Sequence, residues 1–182
     1  CLPAHQRELR RGGRLQMLAL RGRDDARAGL HAGQRMPAHW VEIEHPDRGI
    51  DSRGGIDGVQ EQGLAQGAAR FTRLEGVIAS EHEIFFTATN GGDAACGQVF
   101  AYYRARDELM LVYESTDPAT LDYPDNVLLT PRGALLICQD SKGDTQRLYG
   151  LSREGALFEF ARNNVMLDGG VGGFSGDYRG AE

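Results

Sequence analysis

The 182-residue chain is poor in cysteine, and the three it has, Cys1, Cys96 and Cys138, stand in no Cys-x-x-Cys pair or other zinc-binding spacing. An odd count also argues against a disulfide framework. Cys138 closes the apolar run Ala-Leu-Leu-Ile-Cys, where a thiol is expected to be a buried small hydrophobe. No run approaches the ~18 apolar residues of a membrane-spanning helix, so no membrane segment is expected. The opening residues, CLPAHQRELRRGG, lack the apolar stretch of a secretory leader. There is no basic stripe: the formal net charge is −6 and the pI about 5.4, which argues against nucleic acid as a partner. The acidic excess suits cation binding without establishing it. The chain starts at Cys1 and stops at Glu182 after a Gly-rich loop, and both ends read as cuts inside a longer protein.

What is present is mostly strand-like. Apolar residues make up 41% of the chain, enough for one domain with a real core. Residues 13–67 form an irregular or partial unit, with strands expected at GRLQMLAL (13–20) and HWVEI (39–43) between Gly-, Arg- and Asp-rich loops. The loop DRGIDSRGGIDG carries aspartates, but its spacing is not that of an EF-hand. From Ala68 the pattern sharpens. ARFTRLEGVIA, EIFFTAT, GQVFAYYR and ELMLVYES are four strand-like runs within 68–115; DNVLLTP, ALLICQD, RLYGLS and ALFEFARN are four more within 124–164. Short turns rich in Gly, Asp and Asn join them, and no helical periodicity interrupts them. Residues 165–182 are a Gly-rich connection, a lid or a linker.

The two quartets repeat. Val77 and Val127 lie 50 residues apart, as do Phe85 and Leu135, and Phe86 and Leu136. A four-strand unit recurring at about 50 residues is the period of a propeller blade, whereas a sandwich has no reason to repeat its strands at constant spacing. The expected fold is therefore all-β: a partial β-propeller with two clear four-stranded blades and a poorly defined N-terminal one.

In a propeller the first strand of each blade lines the channel, and the loops entering it open on one face together with those between the second and third strands. Glu75 (in RLEGV) and Asp125 (in YPDNV) then occupy like places, as do Asn90 and Asp140, again 50 apart. Glu75, Asn90, Asp125, Asn126 and Asp140 should share one channel mouth. Clustered carboxylates repel, and a bound cation relieves that cost. Oxygen donors without histidine favour a calcium-like ion over zinc. Alternation puts Arg73 on the side of Glu75, where its guanidinium either clamps a phosphate or simply pairs with Glu75 or Asp125. His82 reads as a turn residue on the opposite face, and His39 and Trp40 as packing. Asp93 reads as a ligand or a turn former. The Asn-Gly-Gly-Asp loop precedes a strand, not a helix, and is no P-loop.

These runs together resemble a known family. FTRLEGV, FFTATNGGDAACGQVFAY, LDYPDNVLLTPRGALLICQD and LYGLSREGALFEFARN, with GGRLQMLAL, HWVEIEHPD and QGLAQGAARF upstream, are similar to the PhoX-type alkaline phosphatases over most of residues 12–164. The resemblance implies a β-propeller with iron and calcium ions at one channel mouth that hydrolyses phosphate monoesters. By position it implies that Arg73 holds a phosphate oxygen, Glu75 ligates metal, and Asp125, in Pro-Asp-Asn, ligates calcium. Asp140 matches an acidic position, but the family's preceding Glu is Gln139 here. Other metal ligands of the family fall before Cys1 or after Glu182, which implies that the isolated chain is inactive. It further implies a small phosphate ester as substrate and a periplasmic or secreted parent; the oligomeric state stays open. Calcium-dependent lactonase or phosphotriesterase chemistry, and a non-catalytic binding platform, are the competing readings; Arg73 favours a phosphate dianion over a neutral lactone.

Overall fold

Residues 68–162 are strand-rich for a local reason: apolar side chains alternate within short runs, and each run ends at turn-forming residues. The structure is a computed structural model and describes residues 12–48, 58–141 and 145–180. Its strands are β1 (Gln16–Leu20), β2 (Arg35–Glu42), β3 (Leu74–Ala79), β4 (Glu83–Ala88), β5 (Gln98–Tyr103), β6 (Glu108–Glu114), β7 (Pro124–Leu129), β8 (Leu135–Gln139), β9 (Arg147–Leu151), β10 (Leu157–Arg162), β11 (Met166–Val171) and β12 (Phe174–Asp177). One short helix, α1 (Val59–Ala65), stands before β3. The Asp51 and Asp57 of the aspartate-bearing loop, like Cys1 and Glu182, lie outside the described residues. Among the described residues no helix is long and apolar enough to cross a membrane.

The two quartets form two antiparallel meanders, β3–β4–β5–β6 and β7–β8–β9–β10. This is the all-β, propeller-type arrangement that the repeat predicts. The N-terminal strands build no sheet of their own. β2 pairs with β6 (Met36 opposite Leu109) and β1 with β2, so the first sheet has six strands in the order β1-β2-β6-β5-β4-β3. Strand β2 also begins earlier than HWVEI suggests, at Arg35. Trp40 packs edge-on against Tyr102 and donates to its hydroxyl at 2.8 Å, while that hydroxyl donates to Asp107 at 2.5 Å.

Two cores flank the first sheet because its strands are apolar on both faces. On one face Phe85, Val99, Ala101 and Val112 pack against Val127, Leu135, Ile137, Tyr149 and Leu151 of the second sheet. On the other, Phe100, Tyr102, Leu109 and Leu111 pack with Met36, Ala38 and two loop residues, Ala26 and Leu30. Phe71, Phe86 and Phe100 form an aromatic triad there, with centroids 5.2–5.6 Å apart. Strand β5 is thus covered on both sides, and it reads as a continuous apolar run.

The Gly-rich tail is more regular than its composition suggests. It is the hairpin β11–β12, with Val171 opposite Phe174 across Gly172 and Gly173. Both glycines have positive φ (59° and 79°), which a two-residue turn between right-twisted strands requires and side chains resist. The hairpin is fastened to the end of β10, with Tyr178 N donating to Val165 O and Asn163 Nδ2 to Tyr178 O.

Candidate functional site

The site residues lie where the inner strands β3 and β7 face one another. Both strands carry a β-bulge at the same place. Glu75 and Gly76 together oppose Thr87 between the pairs Leu74–Ala88 and Val77–Phe86; Asp125 and Asn126 together oppose Cys138 between Pro124–Gln139 and Val127–Ile137. A bulge bends the strand and re-aims its side chains, and here each bulge carries one of the expected carboxylates. The residue entering each strand is also strained alike: Arg73 and Tyr123 have φ of 41° and 52°. The main-chain oxygen of each is held from the second strand, Arg73 by Thr89 N and Tyr123 by Asp140 N, both at 2.9 Å.

Threonine hydroxyls lock the two sheets together at this point. Gly76 N donates to Thr87 Oγ1 (2.9 Å), which donates to Asp125 O (2.6 Å), and Thr89 Oγ1 donates to Pro124 O (3.0 Å). Both threonines are fully buried. The approach is close because residue 76 is glycine: a Cβ there would lie 2.4 Å from Asp125 O. Sequence reading missed this seam. Its signal was Thr87-Ala88-Thr89, whose polar side chains alternate onto one face at the end of an otherwise apolar strand.

The seam brings Arg73, Glu75, Asp125 and Asp140 into one electrostatic neighbourhood. Arg73 and Glu75 form an ion pair at 3.5 Å, both roughly half-exposed. Alternation along a strand is not what places Arg73, since it precedes β3 in a left-handed conformation. The Asp125 carboxyl is pushed above its ordinary range, first by burial and then by repulsion from Glu75 and Asp140, with Arg73 opposing. Asn126 is exposed, and its Oδ1 accepts from Val127 N at 2.8 Å. With Asp125 and Asp140 it borders an open cavity of about 500 Å³ that Cys138 and Gln139 also line. Cys138 is exposed rather than buried: Leu135 and Ile137 take the covered face of β8, so the thiol at 138 points the other way. Gln139 is buried; among the described residues its Oε1 has no hydrogen-bond partner, while Nε2 donates to Ser141 Oγ.

Asn90 does not join them. Its Oδ1 accepts from Thr72 Oγ1 at 2.7 Å, and it lines a separate cleft with Arg23, Asp25 and Arg27. The 50-residue equivalence with Asp140 fails because the β7–β8 turn is one residue longer: five residues separate Leu129 from Leu135, four separate Ala79 from Ile84. From β4 to β8 the offset is therefore 51. Thr89 matches Asp140, Phe86 matches Ile137, and Asn90 matches Ser141. His82 sits in the β3–β4 turn at the far end, and the Asp93 carboxylate accepts from Gly29 N at 2.7 Å, tying down a loop. Among the described residues, no three His, Cys, Asp or Glu side chains come close enough to hold a metal ion.

Comparison with known proteins bears on this geometry. The family model for alkaline phosphatase PhoX matches residues 3–176. The chain belongs to the PhoX alkaline phosphatase family. Among solved structures, it is similar to Pseudomonas fluorescens PhoX in complex with vanadate, a transition state analogue, with a TM-score of 0.57 and 19% identity. The match covers 81% of this chain and 35% of that one, so the chain spans about a third of the protein it resembles. No curated protein matches it significantly. At that identity the structural likeness establishes the fold, an all-β arrangement of the PhoX kind.

Proposed function

We propose that Arg73, Glu75, Asp125 and Asp140 form part of the site of a metal-dependent phosphate-monoester hydrolase, of which this chain supplies two adjoining sheets. The observation that supports the reading is the placement of Glu75 and Asp125 at matched bulges, with Arg73 paired to Glu75 and Asp140 in the electrostatic surroundings of Asp125, in a member of a phosphatase family. Three carboxylates against one guanidinium leave a negative excess that a hard cation would neutralise, and Gln139, which lines the same cavity as Asp125 and Asp140, is a candidate further oxygen donor. The donor chemistry thus fits calcium or ferric iron, while the number of convergent donors falls short of a full shell. Glu75, Asp125 and Asp140, with Gln139 and Asn126 at the margin, would hold such ions on this side. Bound there, they would stabilise charge on a phosphoryl group and lower the pKa of an oxygen nucleophile.

Arg73 has the separate task of binding a phosphate oxygen through its planar fork, which matches phosphate geometry. Its ion pair with Glu75 is long, so the guanidinium can be taken over by a dianion while Glu75 turns to a cation. The described residues supply too few ligands for turnover, and we expect no hydrolysis of p-nitrophenyl phosphate by this chain with calcium and iron; measurable turnover would overturn that expectation.

The metal reading is tested by calorimetric titration of calcium into the chain. We expect weak binding, with a Kd on the order of 10⁻⁴–10⁻³ M, as in sites with few charged ligands. Gln139→Glu adds a charge where Oε1 is unpartnered and should tighten it about tenfold; Asp125→Asn should abolish it. Equal affinity in all three proteins would refute the assignment.

A further inference from the structure

The cleft beside Asn90 has a chemistry that the hydrolytic site does not use. The loop of residues 21–33 between β1 and β2 crosses the mouth end of the first sheet and is fastened there by its main chain. Ala26 N donates to Arg70 O (2.9 Å), Arg70 N to Asp24 O (2.8 Å) and Gly92 N to Arg27 O (2.8 Å). Ala26 and Leu30 are buried in the core beneath. Between these anchors Arg23, Asp25, Arg27 and Ala28 face Thr72, Asn90 and Gly92 across a cleft of about 460 Å³.

The cleft's side-chain donors are only partly used. Arg23 uses Nε on Asp25 O and Nη2 on Ala28 O, both at 2.5 Å. Arg27 uses Nε and Nη2 on the Asp25 carboxylate, at 2.6–3.1 Å. A guanidinium has five N–H donors and an amide NH₂ has two. The Nη1 groups of both arginines and Nδ2 of Asn90 therefore have no partner among the described residues. The cleft's one carboxylate, Asp25, has both oxygens engaged by Arg27, which holds its pKa down at about 2. Two arginines and one aspartate leave a net single positive charge. The bonds already made fix both forks, so their free edges are pre-organised and lose little freedom on meeting a ligand.

We propose that this cleft binds an oxyanion, the second anionic group of a substrate whose phosphate monoester lies on Arg73. Position supports the link: Thr72 precedes Arg73, and Asn90 follows Thr89, whose N–H holds the Arg73 carbonyl. The substrate class is a small polyanionic phosphate ester, such as a sugar bisphosphate or a phosphorylated acid. This assignment rests on the phosphatase reading only for what occupies Arg73.

The test compares glucose 6-phosphate, fructose 1,6-bisphosphate and inorganic phosphate as ligands of the full 182-residue chain, by calorimetry or NMR titration. The bisphosphate should bind at least about tenfold more tightly than the monophosphate, about 1.4 kcal/mol. Arg27→Gln, at an exposed side chain that leaves the loop's main-chain bonds in place, should cut that advantage below about threefold while leaving monophosphate binding unchanged. Asn90→Asp should do the same, and a thermal melt of each variant confirms folding. Equal affinity for the two sugar phosphates, or an advantage that survives both substitutions, overturns the proposal. So does inorganic phosphate that binds through Arg27 as tightly as the bisphosphate, which would make the cleft a free-phosphate site. Arg73→Gln separates the two readings: if monophosphate affinity is unchanged yet Arg27→Gln still weakens the bisphosphate, the Arg73 assignment fails and the cleft stands.

Discussion

Replacing Gly76 by alanine should pry the two sheets apart at the site. The added methyl carbon would fall 2.4 Å from Asp125 O and 2.8 Å from both Asn126 Cα and Val127 N. All three are main-chain atoms of β7, so no side chain can swing aside. Comfortable separation of such atoms is about 3.5 Å, so β3 and β7 must part by roughly 1 Å. That movement stretches the Thr87 bridge, in which one buried hydroxyl accepts from Gly76 N and donates to Asp125 O. Each of those bonds contributes about 1 kcal/mol net, and overpacking adds about 1–3 kcal/mol. The expected loss is about 3–5 kcal/mol, which for a chain of this length lowers Tm by roughly 6–20 °C. Urea and thermal denaturation measure it directly. A Gly76→Ala protein within about 0.5 kcal/mol of the parent would refute the close apposition of β3 and β7, and with it the claim that the bulges bring Glu75 and Asp125 together.

Two further outcomes follow from the same seam. Thr87→Val keeps the shape but leaves a buried N–H and a buried carbonyl without partners, at about 1–3 kcal/mol each; Thr87→Ser keeps the hydroxyl and loses about 1 kcal/mol for the methyl. Equal losses in the two variants would show that the hydroxyl does not bridge the sheets. Asp125 sets a pH dependence. Its folded-state pKa is raised, so the stability it contributes is full below the unfolded value near 3.8 and is lost as pH rises through the folded value. In EDTA at pH 7, Asp125→Asn should therefore be more stable than the parent, with the gap closing below about pH 4. Asp25, held at about 2 by Arg27, runs the other way: its contribution is present above 3.8 and lost as pH falls toward 2. A chemical-denaturation series from pH 3 to 8 checks the sign, and an Asp125→Asn protein less stable than the parent at pH 7 would contradict the burial and repulsion assigned to that carboxylate.

The strand quartets and their turns could be read from residues alone, because alternation and turn chemistry are local properties and both quartets obey them. Even the match of Val77 to Val127 holds in the observed ladders. The match of Asn90 to Asp140 does not, because a single extra residue in the 130–134 turn moves the register of β8 without disturbing the apolar pattern that revealed it. Cys138 shows the same limit. Alternation puts Ile137 and Cys138 on opposite faces, but only the neighbouring sheet decides which face is covered. The loop over Asn90, the hairpin added beyond β6 and the closeness permitted by Gly76 all depend on contacts between residues far apart in the chain. Local periodicity determined which side chains share a strand face; the approach of two bulged strands, through a glycine and two buried threonines, decided which carboxylates meet.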